Sequence, residues 1–145
     1  MRPILKVLMI MHFFVGVGAL GGGLAAILNP YEPLGISVEP LAGSPFDSYL
    51  VPGLILFTVI GLGHIFSGTA VLFKSRHQGY ISSVFSWALM IWIAVQCWIL
   101  GGVVFLHVLY FMIGLAGAVL AMRLLFEERL FPANLLFNSK RNYRD

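Results

Sequence analysis

Four uninterrupted apolar stretches, residues 4–28, 50–73, 80–100 and 103–126, take up most of this 145-residue chain. A helix needs about 20 apolar residues to cross the hydrocarbon core of a bilayer. Spanning strands would be shorter and would alternate in polarity. The runs are continuous, so they are read as helices, which satisfy their own backbone hydrogen bonds in lipid. Composition separates this reading from a buried soluble core. The chain is 59% hydrophobic and only 10% charged, where soluble domains carry about 25% charged residues. A soluble fold of this size could not hide so much apolar surface, and a disordered chain would not contain it. The predicted fold is an all-α integral membrane protein, a four-transmembrane-helix antiparallel bundle. It forms one membrane domain over 1–145, with an external loop at 29–49 and a cytoplasmic tail at 127–145. The first stretch follows a basic start like a signal peptide, but it is too long for an h-region and is read as a retained span.

The charges predict the orientation. Arg2 and Lys6 flank the start of span one, Lys74 and Arg76 lie between spans two and three, and Arg123, Arg129, Lys140, Arg141 and Arg144 end or follow span four. The 29–49 loop carries Glu32, Glu39 and Asp47 with no Lys or Arg. With both termini cytoplasmic, every basic residue falls inside, as the positive-inside rule requires. The expected location is therefore the cytoplasmic membrane, multi-pass. The surplus of basic residues is spent on orientation, so no nucleic-acid partner is expected.

The connections differ in kind. Pro30, Pro33, Pro40 and Pro45 make the external loop turn-rich, with room for a short strand or interfacial turn. Ser44-Pro45-Phe46-Asp47 reads as a helix start, with Ser44 as N-cap, Pro45 as first helical residue and Asp47 as the capping-box acid. Pro52 then sits near the membrane entry, where a proline can kink a helix. Gly101-Gly102 turns spans three and four into an antiparallel hairpin. Beyond Phe126, the apolar residues around Pro132 read as a segment at the inner interface with a basic end suited to anionic lipid.

Small and polar residues recur at steps of three and four in each span. They are His12, Gly16, Ala19, Gly23 and Ala26, then Phe57, Gly61, His64, Gly68 and Val71. In the second hairpin they are Ser82, Ser86, Leu89, Ile93 and Gln96, then His107, Tyr110, Gly114, Gly117 and Ala121. Helices in lipid associate through such faces, so these are expected to point inward. By spacing, Trp87 and Trp98 face lipid and Trp92 faces the interior. At a rise of about 1.5 Å per residue, His12 and His64 lie at similar depth toward the cytoplasmic side, and Gln96 and His107 lie at similar depth toward the outside. Two polar layers follow: an inner one of His12 with His64, and an outer one of Gln96 with His107 and Tyr110. Interhelical hydrogen bonding is the first reading of each layer. A b-type haem held by His12 and His64, a proton path and a small-molecule pocket are the alternatives.

Other chemistry lacks its residues. No carboxylate falls within a span to pair with another or to orient a histidine. The single cysteine, Cys97, excludes a CxxC pair, an internal disulfide and a Cys-based zinc site. Neither a phosphate-binding loop nor a dinucleotide fingerprint sits between a strand and a helix. Ser82, Ser83 and Ser86 are read as small packing residues that bond back to their helix.

The segment Gly43-Ser44-Pro45-Phe46-Asp47-Ser48-Tyr49-Leu50-Val51-Pro52-Gly53-Leu54, with Trp92-Ile93-Ala94-Val95-Gln96 and the later His107, Tyr110 and Gly114, resembles a family of small, uncharacterised four-pass bacterial membrane proteins. That family commonly has a Gln-Pro-x-Tyr-like stretch where this chain has Leu106-His107-Val108-Leu109-Tyr110. The resemblance implies a free-standing bacterial membrane protein and no particular activity. The expected function is a non-enzymatic structural or interaction subunit that packs against other membrane components or its own copies in the lipid bilayer. A small transporter or lipid-binding protein, or a haem-binding protein using His12 and His64, are the alternatives.

Overall fold

The computed structural model describes residues 1–128, 130 and 135. The regular elements among them are all helical. Four helices are long and apolar enough to cross a membrane: α1 (Pro3–Leu28), α2 (Leu50–Leu72), α3 (Gln78–Leu100) and α4 (Phe105–Glu127). Each reproduces an expected span to within two residues at either end. The interfacial reading of the tail, with Arg129, Lys140, Arg141 and Arg144, lies outside the described residues.

Helix ends follow local chemistry. Pro3 opens α1, where a missing N–H costs nothing. Gly101 closes α3 at φ +63, and Gly102 N–H reaches back to Cys97 O at 3.2 Å. That is the six-to-one bond of a glycine-terminated helix, and it starts the turn into α4. Lys74 closes α2 in the same way at φ +51, with Ser75 N–H on Ala70 O at 2.8 Å. A lysine there carries the steric cost of a Cβ that glycine avoids.

Glycines set how close the helices come. A Cβ on Gly23 of α1 would meet Phe57 N at 2.7 Å and Gly53 O at 2.8 Å. Gly16 faces Ile65 and Gly61 faces Leu20 in the same seam. On the second hairpin, Gly114 and Gly117 of α4 lie against Ser86 of α3. The two hairpins meet through α2 on α3 and α1 on α4. The small-residue faces are thus interior, with Phe57, Gln96 and Tyr110 at their half-buried edges. Trp87 and Trp98 are exposed and Trp92 is buried, as the spacing predicts.

Two expectations are corrected. No helix starts at Ser44. Its Oγ accepts from Phe46 N–H at 3.2 Å, two residues on, which makes a local turn. Asp47 is exposed and caps nothing, because the helix begins at Leu50 with Tyr49 before it and no side-chain cap. Tyr49 decides this start. Its N–H is taken by Pro30 O at 2.8 Å and its hydroxyl by Ser37 O at 3.0 Å, which ties the loop's two ends together. Second, Pro52 falls in the first helical turn, where its missing N–H has no partner to lose. The irregularity comes later, as a π-helical segment over Leu56–Leu62 inside α2. Of the two alternatives for the loop, the structure has turns, the short 3-10 segments Pro33–Gly35 and Glu39–Leu41, and no strand among the described residues.

Candidate functional site

His12 and His64 meet inside the bundle. Both are 2% exposed, and their Nδ1 atoms lie 2.9 Å apart. His64 follows the π-helical segment by two residues, and wide turns of this kind often accompany functional sites. Its ring spans two interfaces. Nδ1 faces α1, while Nε2 lies 3.1 Å from the Phe85 carbonyl of α3.

The hydrogen positions follow from these partners. A carbonyl only accepts, so His64 Nε2–H donates to Phe85 O. Two Nδ1 atoms at 2.9 Å cannot both carry protons. A neutral His64 protonated at Nε2 has a bare Nδ1, so His12 Nδ1–H donates to it. A neutral His12 is then bare at Nε2. That atom is buried and has no hydrogen-bond partner among the described residues. His12 lines a cavity of about 10 Å³, about the room of one water, together with Met11, Ser86, Ile113 and Gly117. The chain Phe85 O, His64, His12 thus ends in one free lone pair.

This geometry bears on the haem alternative. The two rings face each other nitrogen to nitrogen at hydrogen-bond distance. A porphyrin with iron between them does not fit that gap, so His12 and His64 as placed are not a pair of axial ligands. No group of three or more potential metal ligands occurs among the described residues.

The outer layer does not form as the depth argument expected. His107 is the third residue of α4, and its Nδ1 accepts from Val104 N–H at 3.2 Å. It satisfies a free amide at its own helix start. No hydrogen bond joins it to Gln96 or Tyr110 among the described residues. Gln96 is half-buried, while the Tyr110 ring stacks on Phe14 at 6.0 Å and its hydroxyl sits over Gly18. Depth placed the residues level, but a nearby backbone donor won the histidine.

Sequence reasoning missed a polar group at the end of the bundle that holds the chain's N-terminus. Arg2 pairs with Glu127 at 2.9 Å and Glu128 at 3.5 Å, and Gln78 Nε2 donates to Glu128 Oε1 at 3.3 Å. Gln78 is buried. Its i, i+4 spacing to Ser82 and Ser86 was the available signal. Nor does Ser82 bond back to its helix; its buried Oγ has no partner among the described residues. Comparison with family models, with curated proteins and with solved structures gives no match to this chain.

Proposed function

We propose that this chain is a non-enzymatic subunit of a bacterial cytoplasmic membrane, with both termini inside, that works by contact with another membrane protein through its external loop. The orientation rests on the basic residues, and the bacterial setting rests on the resemblance to small four-pass bacterial membrane proteins. The observation that carries the interaction role is Leu34. This leucine is held at φ +53, ψ +28 and is 81% exposed. A bulky residue in that region is a true outlier, and such strain persists where surroundings impose it for a purpose. Here the turn is fixed by Asn29 Nδ2 and Gly35 N–H on Glu32 O and by Ile36 N–H on Pro33 O. It displays Tyr31, Leu34 and Ile36, all exposed. None of the three is buried against another of the described residues.

The test is affinity purification of the full chain in mild detergent, with mass spectrometry of protein and lipid. A specific protein partner is expected, and its recovery falls sharply in Leu34→Asn and Ile36→Ser. Purification of a lone monomer, or a partner indifferent to both variants, overturns the reading.

A further inference from the structure

Buried polar atoms without partners are rare, and each calls for an explanation. Among the described residues they are His12 Nε2, Ser82 Oγ, Gln78 Oε1 and Trp92 Nε1. The first three are related. Gln78, Ser82 and Ser86 lie four residues apart on α3, so they follow one face with about 6 Å between successive steps. All three are buried. Gln78 is bonded to Glu128 at the end of the bundle, and Ser86 borders the cavity that adjoins His12. The unpartnered atoms therefore trace a line from the Arg2–Glu127–Glu128 cluster to the histidine pair. On the far side, the interior is the apolar cluster of Val15, Ala19, Ile60, Leu89, Trp92 and Ile93.

We propose that the His12–His64 pair is a reversible single-proton site, reached from one end of the bundle through the polar line Gln78, Ser82 and Ser86. A water in the small cavity that His12 and Ser86 both line bridges the last step of this route, since each offers a donor or acceptor, and Ser82 and Gln78 continue the polar line beyond it. The incoming proton, taken from solution, adds to the lone pair of His12 Nε2 and no other bond is lost. The pair then carries one positive charge. It accepts no second proton, because one of two nitrogens 2.9 Å apart must stay bare. The charge can pass along the Nδ1–H···Nδ1 bond to His64, and there it stops. His64 Nε2–H faces a peptide carbonyl, which does not hand a proton on. The site stores a proton and does not conduct one. Among the described residues, no other titratable or charged side chain lines the cavity, whether from α1, α2, α3 or α4. The nearest charges along the line are Glu128, Glu127 and Arg2.

Solid-state NMR of the full chain, labelled with 15N-histidine in neutral-lipid vesicles, tests this. Acidification is expected to protonate one further ring nitrogen in the pair, at His12, while the coupling between the two Nδ1 atoms persists. In D2O the pair exchanges its N–H protons readily. Ser82→Ala and Gln78→Leu, which remove relay groups and retain the helix, each slow that exchange about tenfold, the effect of one lost polar partner. Uptake of two protons, no uptake, or exchange unchanged in both variants overturns the proposal. Ile93→Thr, on the apolar side, leaves the rate unchanged; a faster rate there would also overturn it.

Discussion

At the residue scale, the histidine pair is asymmetric, and the asymmetry can be measured. His12→Ala and His64→Ala delete the same atoms, so the volume lost is equal and only the polar accounting differs. Losing His12 removes one hydrogen bond and leaves His64 Nδ1 as a bare acceptor. Losing His64 breaks two contacts and strands the His12 Nδ1–H donor in an apolar core. A buried orphan costs about 1–3 kcal/mol, and interhelical bonds in membranes average nearer about 0.6 kcal/mol. His64→Ala is therefore expected to be the more destabilising by about 1 kcal/mol, read from unfolding of the purified protein in mixed micelles. Equal losses would refute the tautomer assignment. Tyr49 offers a second residue-scale outcome, in the loop. Burial raises its phenol above the ordinary value of 10.0. The folded state thus holds the proton longer than the unfolded one. Its contribution is complete below pH 10.0 and is lost as pH rises from there through the raised value. Ionisation also removes the donor to Ser37 O. Proteolysis of the 29–49 loop should accelerate over that alkaline range in the native chain, with no such step in Tyr49→Phe.

At the element scale, glycine substitutions along one helix should change stability in opposite directions. Gly23→Ala drives a Cβ to 2.7 Å from backbone that cannot yield, and overpacking of this kind costs about 1–3 kcal/mol. Gly21→Ala, two residues earlier, meets nothing within 4 Å and gains about 0.5–1 kcal/mol of helix propensity. Thermal unfolding in one detergent orders the three proteins; a loss in both variants would mean that α1 is not seated as described. Lys74→Gly should raise stability by about 1 kcal/mol by relieving the left-handed residue that ends α2. What could be read in advance at this scale was periodicity. A three-and-four repeat specifies which residues face inward, and Gly16, Gly23, Gly61 and Gly117 all do. The π-helical turn of α2 was not readable. One widened turn leaves no mark on composition, and it lies just before His64, whose two ring nitrogens reach α1 and α3.

At the scale of the whole molecule, the legible and illegible parts separate by range. Span positions and the level of His12 with His64 depend on a fixed rise per residue, so counting finds them. The fate of His107 and of Ser44 depended on a competitor a few residues away, a free amide at Val104 and at Phe46, and counting does not rank such competitors. Orientation is the remaining whole-molecule property, and it rests on charge alone. All nine basic residues of the chain lie before or at the start of the first span, between the second and third, or at and beyond the end of the fourth. Among them, Arg2 and Arg123 both reach Glu127, which ties the chain's start and the end of α4 to one side. The single cysteine, half-buried at position 97, makes a direct assay practical. In a Cys97→Ser background, Ser37→Cys and His77→Cys place one thiol each in exposed connections at opposite ends of the bundle. Neither change removes a basic residue counted by the positive-inside rule. A membrane-impermeant maleimide added to intact cells should label the first and spare the second until the membrane is opened. Both sites sit at helix connections, so labelling reads sidedness and not packing. The reverse pattern would invert the topology. It would also place the Gln78–Ser82–Ser86 line, and the proton site it leads to, on the outer face of the membrane.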